Sequence, residues 1–400
     1  STPAGKSVFA ATAAQCAVFS GRISFVLGLQ GACASSDTAC SSSLVAMHSA
    51  VRALQRAENS TSLVCGVNAM YSLVASVGSA VASMTSRRGR SHTFDARADG
   101  YGRGEACGTT ALQLMSPTDD ASSVVSVHGC AVRQDGKSAS LTAPSGLAQQ
   151  ALIRAALADA GATASDVDVL EAHGTGTSLG DPIEAGSLAS TVLVERAPDE
   201  VLAAGSGKAN VGHTEPAAGM TGIVRLASAL GHGLGTPNAQ LRVLNPHVGS
   251  ALVDLPSVMP TQAAPLHGAG AGGVNSFGYS GTITHALVRA KPQELPEDHH
   301  DLIGLKRLHF HWREATHPLV QHKLLDISST DTIFRSKISS AMLSIVADHV
   351  VNGRIILPGA GYLEMGRALL KGAASLRGIS FLQPLMLEDA SRAVEAVLSP

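Results

Sequence analysis

Strand-like and helix-like segments alternate along the first 290 residues, and glycines separate many of them. Residues 63–68 and 124–132 have the apolar composition of buried strands, whereas residues 148–160 repeat apolar side chains at helical spacing. Another strand is expected to end at residues 171–173. This alternation is typical of an α/β domain, in which helices cover a sheet.

The composition changes after Lys291. Residues 292–301 combine prolines with charges and have no apolar period, which predicts a linker. Farther along, apolar and polar residues alternate as in strands at 333–338 and 343–350, and a helix-like run follows from Gly361 to Leu370. We therefore expect one domain over residues 1–290, a linker over 291–311 and a second, incomplete domain over 312–400.

Charge and cysteine content limit the classes of protein to which this chain can belong. With 29 Lys and Arg against 31 Asp and Glu, the net charge of -2 leaves no positive excess for phosphates, which argues against nucleic-acid binding. No apolar run is as long as a membrane span. The six cysteines form no C-x-x-C pair, so no zinc or redox motif is indicated. Reduced thiols favour a cytoplasmic protein, although a targeting peptide for an organelle before Ser1 remains an alternative.

Cys40 is the first candidate catalytic residue. Residues 37–50 read Asp-Thr-Ala-Cys-Ser-Ser-Ser-Leu-Val-Ala-Met-His-Ser-Ala, so the cysteine precedes an apolar-periodic run. This pattern predicts a helix N-terminus, whose N–H groups and dipole stabilise a thiolate. The alternative is an inert, buried cysteine, which is the commoner fate of this residue type.

Two histidines complete the candidate site. His173 is expected at a strand end, followed by glycines and hydroxyl residues that let an extended ligand approach closely. His213 precedes a helix of small residues, with Lys208 five positions earlier. One thiol and two histidines all occur in glycine-rich loops. A shared catalytic site explains this pattern better than three unrelated structural roles. A cysteine protease also uses Cys and His, so the residues alone leave that class of enzyme open.

Together these segments resemble the ketosynthase (β-ketoacyl synthase) domain of type I polyketide and fatty-acid synthases. The similarity extends to residues 21–31, 93–105, 134–144 and 275–282, and it covers about residues 1–290. It implies an α/β, thiolase-like fold with α-β-α-β-α layers. The family carries several strands and helices before the residues that match Ser1, so the resemblance also implies an incomplete first half.

The resemblance assigns roles to the three candidates and to Lys208. Cys40 resembles the nucleophile that takes an acyl chain from a carrier protein as a thioester. His173 and His213 resemble the pair that stabilises the enolate formed when a malonyl thioester loses CO₂. Lys208 resembles the lysine that supports the histidines electrostatically.

Further roles follow from the same resemblance. The N–H groups of Cys40 and Tyr279 form the oxyanion hole, and the Tyr279 ring gates the pocket. Phe277 belongs to the substrate-binding set, and Thr175 and Thr177 bind the phosphopantetheine arm of an acyl carrier protein. No bound cofactor and no metal are expected, because no P-loop, GxGxxG after a strand or HExxH motif occurs.

One residue departs from the family pattern. The family usually has Gly-Thr-Asn before its C-terminal histidine, whereas residues 281–285 here read Gly-Thr-Ile-Thr-His. Ile283 therefore replaces the usual asparagine. We expect this change to loosen the hydrogen bonds that support the gating loop.

A second motif lies near the C-terminus. His349, Gly353 and Pro358 have the spacing HxxxGxxxxP, which resembles the first hotdog of a polyketide synthase dehydratase, a partial α+β fold. The resemblance makes His349 the base that removes the α-proton of a β-hydroxyacyl thioester. The residues after Asp389 do not match the motif of the family's acid, so that acid is expected beyond Pro400.

The order of the domains bears on partners. A linker of about twenty residues is too short to hold an acyltransferase, so malonyl loading is expected in trans. The family also implies an acyl carrier protein partner and a homodimer. We expect a β-ketoacyl synthase that performs decarboxylative Claisen condensation, coupled to a dehydratase in the full-length protein. The alternative is a non-catalytic remnant or a docking and dimerisation module, which Ile283 and the incomplete ends favour.

Overall fold

The computed structural model describes residue 12 and residues 15–115, 125–266, 270–290, 317–324, 331–338, 340–370, 375–388 and 393–399. The chain divides into two compact units, Ser1–His299 and His300–Pro400. The expected linker over 291–311 and Asp389 lie outside the described residues. Among the described helices, none is long and apolar enough to cross a membrane.

The first unit contains both helices and strands. Its helices are α1 (Cys16–Leu27), α2 (Ser42–Gln55), α3 (Leu73–Val81), α4 (Gly146–Ala160), α5 (Gly180–Leu188), α6 (Lys208–Val211), α7 (Ala218–His232) and α8 (Pro246–Ala251). Its strands are β1 (Thr61–Asn68), β2 (Ala106–Gln113), β3 (Ser126–Gln134), β4 (Val169–Glu171), β5 (Leu202–Gly205), β6 (Leu234–Gly235), β7 (Ser257–Val258), β8 (Ala264–Pro265), β9 (Ala271–Phe277) and β10 (Thr282–Arg289).

A mixed six-stranded sheet with the order β3-β10-β9-β4-β5-β7 forms the centre of this unit. Strand β4 is parallel to β9 and β5, and β10 is antiparallel to both of its neighbours. One apolar cluster joins α2 and α7 to the sheet, and another joins α4 and α5 to it. Because β4, β5 and β9 are parallel, the loops that follow them meet at one edge of the sheet.

The predicted elements of the first unit are confirmed. The strands expected at 63–68 and 124–132 are β1 and β3, and the helix expected at 148–160 is α4. The Ser145 hydroxyl accepts a hydrogen bond from the Ala148 N–H, and Gly161 ends this helix with a positive φ of 59°. Helix α2 begins at Ser42, just after Cys40, and β4 ends just before His173.

The second unit is a small α+β structure. Its elements are β11 (His322–Leu324), β12 (Thr332–Lys337), α9 (Ser340–Val346), β13 (Val350–Val351), β14 (Arg354–Ile355), α10 (Gly359–Leu369) and β15 (Ala393–Leu398). Strands β11, β12 and β15 form an antiparallel sheet, and β13 pairs with β14.

The pattern at 333–338 and the helix at 361–370 are confirmed by β12 and α10, but the strand pattern at 343–350 is wrong for most of its length. Residues 340–346 form α9. Met342 and Val346, four residues apart, are both buried in the core of this unit, whereas Ile345 is exposed. The burial of side chains at helical spacing therefore decided the structure of this segment, and the short alternation of apolar and polar residues did not.

Candidate active site

Cys40 lies in a tight turn directly before α2. Ala39 has a positive φ of 54°, which is uncommon for a residue with a side chain. The turn is held by the Asp37 carboxylate, which accepts a hydrogen bond from the Ala39 N–H at 3.1 Å, and by Ser42 Oγ, which accepts from the Thr38 N–H at 2.9 Å. This local network fixes the backbone that carries the thiol.

His213 contacts the sulfur directly. Its Nε2 lies 2.9 Å from Cys40 Sγ, and its Nδ1 accepts a hydrogen bond from the Glu215 N–H at 3.2 Å. Since Nδ1 accepts, the neutral ring carries its proton on Nε2, which faces the sulfur. The His213 backbone is anchored in turn, because its N–H donates to the Gly102 carbonyl at 2.6 Å.

His173 is arranged in the same way. Its ring centroid lies 5.6 Å from that of His213, with an interplanar angle of 86°. Its Nδ1 accepts a hydrogen bond from the Phe277 N–H at 3.3 Å, so its Nε2 also carries the proton. The Phe277 ring packs 5.3 Å from the His173 ring. Two imidazoles thus offer N–H donors close to one thiol.

Burial sets the ionisation of these groups. It holds the pKa of His173 and of His213 well below the usual range, and the Lys208 ammonium lowers both further. Burial also raises the pKa of the Cys40 thiol to about 11, although Lys208 and the N–H groups of Tyr279 and Cys40 lower it. The expected thiolate at the helix N-terminus is therefore wrong for this structure, because desolvation outweighs the stabilising groups.

Lys208 is buried at the start of α6. Burial lowers the pKa of its ammonium, whereas the carboxylates of Glu171 and Glu184 raise it. Glu171 is also fixed, since it accepts a hydrogen bond from the Gly207 N–H at 2.6 Å and forms an ion pair with Arg225. The carboxylates of Glu171 and Glu184 thus favour the charged form of the Lys208 ammonium, which lies near the two histidines.

Sequence reasoning missed a chain of buried polar groups behind His173. The Glu184 carboxylate accepts hydrogen bonds from the His173 N–H at 2.7 Å, the Gly174 N–H at 2.8 Å and the Asn275 amide at 2.8 Å. Asn275 Oδ1 lies 2.6 Å from His285 Nδ1. The signal was available, because Glu184 and His285 belong to the matched segments, but spacing does not show which backbone groups they bind.

Asp181 is a second missed carboxylate on α5. It accepts hydrogen bonds from the Phe94 N–H at 2.7 Å and the Gly176 N–H at 3.1 Å. Burial, with a smaller contribution from the Glu184 carboxylate, raises the pKa of Asp181 to about 7, although the hydrogen bonds from the Phe94 and Gly176 N–H groups lower it. Asp181 therefore joins the loop of His173 to the segment around Phe94.

Tyr101 and Arg103 support His213 from the other side. The Tyr101 ring makes an edge contact with the His213 ring at a centroid distance of 4.9 Å. Arg103 forms a two-point ion pair with Glu215, at 2.7 and 2.9 Å, two residues beyond His213. Neither residue was singled out from the sequence.

The other residues singled out from the sequence in the first unit lie around Cys40, in the loop after His173 and on the sheet. The Tyr279 N–H faces the Cys40 sulfur, and Tyr279 as a whole residue is 56% exposed. Thr175 Oγ1 and Thr177 Oγ1 lie 3.2 Å apart in the loop after His173. Ile283 is fully buried beside Phe277 on the sheet.

His349 belongs to the second unit, where its side chain is exposed. Its Nδ1 lies 2.9 Å from the Ile356 carbonyl, which can only accept. The proton of the neutral ring is therefore on Nδ1, and Nε2 keeps its lone pair. No group of three His, Cys, Asp or Glu side chains suited to a metal ion occurs among the described residues.

Comparison with known proteins identifies this arrangement. The N-terminal domain model of β-ketoacyl synthases matches residues 2–118, the C-terminal domain model matches 124–242, and the polyketide synthase dehydratase domain model matches 317–400. The chain is 43% identical over 286 residues to the spectinabilin polyketide synthase system protein NorA' of Streptomyces orinoci. It is 42% identical over 291 residues to erythronolide synthase EryA3 of Saccharopolyspora erythraea.

These matches cover 70% and 71% of this chain but only 8% and 9% of the two relatives. Among solved structures, the ketosynthase from module 6 of the Bacillus subtilis 168 bacillaene synthase superposes with a TM-score of 0.64 at 32% identity, covering 69% of this chain and 51% of that one. The oxazolomycin ketosynthase domain OzmH KS7 of Streptomyces albus JA3453 gives a TM-score of 0.66 at 31% identity, covering 70% and 50%.

The chain belongs to the β-ketoacyl synthases, condensing enzymes of the thiolase-like fold. More closely, it is a ketosynthase region of type I polyketide synthases followed by the N-terminal part of a polyketide synthase dehydratase. The expected fold and family are confirmed.

Proposed function

We propose that the first unit joins a Cys40-bound acyl group to a malonyl unit by decarboxylative Claisen condensation. The observation that carries this proposal is the 2.9 Å contact between Cys40 Sγ and His213 Nε2, with the His173 ring packed against that of His213. Both rings accept a backbone N–H at Nδ1, so both offer an N–H donor at Nε2. Two donors suit an enolate oxygen better than the single general base of a protease.

In the first step the Cys40 thiol attacks the thioester carbonyl of an acyl chain held on a phosphopantetheine arm. A C–S bond forms to Cys40, the C–S bond to pantetheine breaks, and the thiol proton passes to the departing sulfur. The N–H groups of Cys40 and Tyr279 face the Cys40 sulfur and are suited to hold the oxygen of the tetrahedral intermediate.

In the second step a malonyl thioester loses CO₂, and the electrons of the broken C–C bond form an enolate. His173 and His213 donate to the enolate oxygen, and the nearby Lys208 charge stabilises the negative charge. The enolate carbon attacks the Cys40 thioester, a C–C bond forms, and the cysteine sulfur leaves and takes up one proton. Thr175 and Thr177 hydrogen-bond the phosphopantetheine arm, and Phe277 lines the acyl pocket. The arm arrives with its carrier, so this reaction uses no cofactor resident in the chain.

Mass spectrometry after incubation with butyryl-N-acetylcysteamine tests the first step. We expect one butyryl group on Cys40, none in Cys40→Ala, and normal labelling in the control Cys65→Ala, whose thiol is exposed in β1. Labelling that persists in Cys40→Ala contradicts the assignment. For the second step, His173→Ala and His213→Ala are expected to keep acylation but to release CO₂ from malonyl carrier protein at least 100-fold more slowly (about 10² per lost donor).

For the second unit we propose that His349 is the base of a dehydratase. Its Nε2 lone pair is suited to take the α-proton of a β-hydroxyacyl thioester, while an acid from a longer protein protonates the leaving hydroxyl. Loss of water by such a longer protein, abolished by His349→Ala, tests this role. Unchanged dehydration in the variant contradicts it.

The same proposal extends to partners. We infer a cytoplasmic enzyme that receives its malonyl units from an acyltransferase acting in trans and that works as a homodimer. Four apolar side chains on α3 are exposed, which supports association: Leu73, Val74, Val77 and Val81. The same surface favours the second candidate function, a docking or dimerisation module without catalysis. Acylation of Cys40 distinguishes the two.

A further inference from the structure

Glu215 has an unusual backbone conformation beside the active site. Its φ is 46°, in the left-handed region that residues with a side chain seldom adopt. It also precedes Pro216, and a residue before proline favours extended backbone. The conformation of Glu215 is therefore strained, and contacts from other parts of the chain have to maintain it.

This strained residue holds the ring of His213. The Glu215 N–H donates to His213 Nδ1 at 3.2 Å, which leaves the proton of the neutral ring on Nε2, facing Cys40. The chain after Glu215 cannot follow a relaxed backbone, because Ala217 and Met220 are buried. Relaxation of φ would therefore turn the peptide bond that carries this N–H away from Nδ1.

Arg103 makes the contact that holds Glu215. Its guanidinium donates to the Glu215 carboxylate through Nε at 2.7 Å and through Nη2 at 2.9 Å, and the two side chains are only 13% and 18% exposed. The backbone on both sides of Arg103 is bound to His213. The Gly104 N–H donates to the His213 carbonyl at 2.8 Å, and the His213 N–H donates to the Gly102 carbonyl at 2.6 Å. The ion pair thus joins two segments that flank the imidazole.

Ser76 on α3 fixes the other side of the guanidinium. Arg103 Nη1 donates to Ser76 Oγ at 2.5 Å. Within α3 only Ser76 and Ser79 are half-buried, and the other residues are exposed. Ser79 forms a hydrogen bond with the Tyr101 hydroxyl. Both partners lie beside His213, so the half-buried side of α3 contacts the groups that support this histidine.

We propose that Arg103 and Ser76 are positioning residues, which hold Glu215 in its strained conformation and thereby keep the proton of His213 on Nε2. This inference rests on the proposed function, in which Nε2 must donate to the enolate oxygen. A neutral imidazole without a donor at Nδ1 can carry its proton on either nitrogen. A ring with its proton on Nδ1 presents only a lone pair at Nε2, which repels the enolate.

¹⁵N NMR of the chain labelled at histidine reads the tautomer directly, without substrate. The signals of His213 are identified by their loss in His213→Gln. We expect the parent ring to be neutral and protonated on Nε2, and both tautomers to be populated in Arg103→Met and, to a smaller extent, in Ser76→Ala. Ser76→Thr keeps the hydroxyl and is expected to restore the parental signals. Parental signals in Arg103→Met or in Ser76→Ala overturn the role assigned to that residue.

Glu215→Gly separates support of the backbone from the charge of the side chain, because glycine adopts a positive φ without strain and alanine does not. Release of CO₂ from malonyl carrier protein is expected to slow at least about tenfold in Arg103→Met and in Glu215→Ala, but no more than about threefold in Glu215→Gly. Adding Arg103→Met to Glu215→Gly should cause no further loss. Equal rates in the alanine and glycine variants, or a full effect of Arg103→Met in the glycine background, overturn the inference.

Arg367→Met is the matched control. Arg367 forms a two-point pair with Glu364 in the second unit, with both hydrogen bonds at 2.9 Å. Its loss is expected to change neither the His213 tautomer nor CO₂ release.

Acylation of Cys40 by butyryl-N-acetylcysteamine separates the possible failures. It should stay within about twofold of the parent in every variant, because this step does not use the enolate donors. A loss of acylation in Arg103→Met that equals the loss of CO₂ release overturns the inference. If the parent neither acylates Cys40 nor releases CO₂, the proposed function fails, and the NMR comparison still decides whether Arg103 and Ser76 set the tautomer.

Discussion

At the scale of single residues, the site depends on carboxylates that do not touch the thiol. Glu184 binds the backbone N–H groups of His173 and Gly174 and the amide of Asn275. It thereby fixes both the loop of His173 and the strand that ends at Phe277. A positioning residue of this kind controls where an imidazole donor points, and small displacements of such donors reduce rates strongly.

We expect Glu184→Ala to leave three buried donors without an acceptor. Each unsatisfied donor costs about 1–3 kcal/mol, so the free energy of unfolding should fall by at least about 2 kcal/mol. Decarboxylation should slow by about 10²-fold as His173 loses its position. Urea unfolding and CO₂ release measure the two effects. Glu195→Ala, an exposed change beyond the end of α5, is the control, and an equal loss in both variants counts against the positioning role.

His285 predicts a pH dependence of stability. Burial lowers the pKa of this histidine to about 4, from 6.5 for the free side chain. A lowered pKa means that the unfolded chain binds the proton more readily, so stability is lost as the pH falls below 6.5 toward 4. Between pH 7 and pH 5 this histidine should account for a loss of about 2 kcal/mol.

His285→Gln should remove that part of the acid sensitivity while keeping a donor for Asn275. Urea unfolding at pH 7 and pH 5 gives the comparison, since His173 and His213 contribute equally to both proteins. Identical pH dependence in the variant and the parent would show that His285 binds a proton equally in the folded and unfolded states, which contradicts a lowered pKa in the folded protein.

At the scale of elements, β10 and the turn before it explain how Ile283 fits. The turn is closed by the Gly278 N–H, which donates to the Thr282 carbonyl at 2.8 Å, and by the Gly281 N–H, which donates to the Gly278 carbonyl at 2.9 Å. Gln134 Nε2 donates to the Ser280 carbonyl at 3.3 Å. These hydrogen bonds do not need a side chain at position 283, so the expected loosening of the turn is not observed. Ile283 instead packs with Leu152 and Phe277.

Because Ile283 is buried among apolar groups, Ile283→Asn should destabilise the first unit by at least about 2 kcal/mol, through a buried amide and lost packing. Ile283→Val, which removes one methyl group, should cost about 1 kcal/mol. Thermal or urea unfolding decides. Equal stability of the asparagine variant and the parent would mean that the buried amide finds a hydrogen-bond partner, which contradicts this prediction.

At the scale of the whole molecule, the chain is two compact units with separate cores. We propose that residues 291–311 connect them as a linker, because residues 292–301 combine prolines with charges and have no apolar period. The first unit carries the thiol and both histidines of the proposed condensing site, and the second carries His349.

Limited trypsin digestion tests this organisation. The earliest cuts are expected after Lys306 or Arg307, giving a resistant fragment that contains Cys40, His173 and His213. Mass spectrometry of the first fragments identifies the cut sites. Early cleavage inside residues 125–266, before any cut in 291–311, would contradict the proposed boundary.

The sequence by itself determined the family, the order of the two units and the candidate residues Cys40, His173, His213 and Lys208. It could do so because catalytic groups and the glycines beside them occur at fixed short spacings, which are visible along one chain. Local periodicity likewise predicted α4 and β3, but it failed at residues 343–350, where Met342 and Val346 are buried by distant elements.

Only the tertiary structure decided the ionisation and support of the site. The thiol of Cys40 is protonated rather than ionised, because desolvation depends on groups from α6, β9 and the loop after β4 that lie far apart in sequence. The contacts of Glu184 with Asn275, of Asp181 with Phe94 and of Tyr101 with His213 likewise join residues more than 50 positions apart. Such contacts follow from the order of strands in the sheet, which no local pattern records.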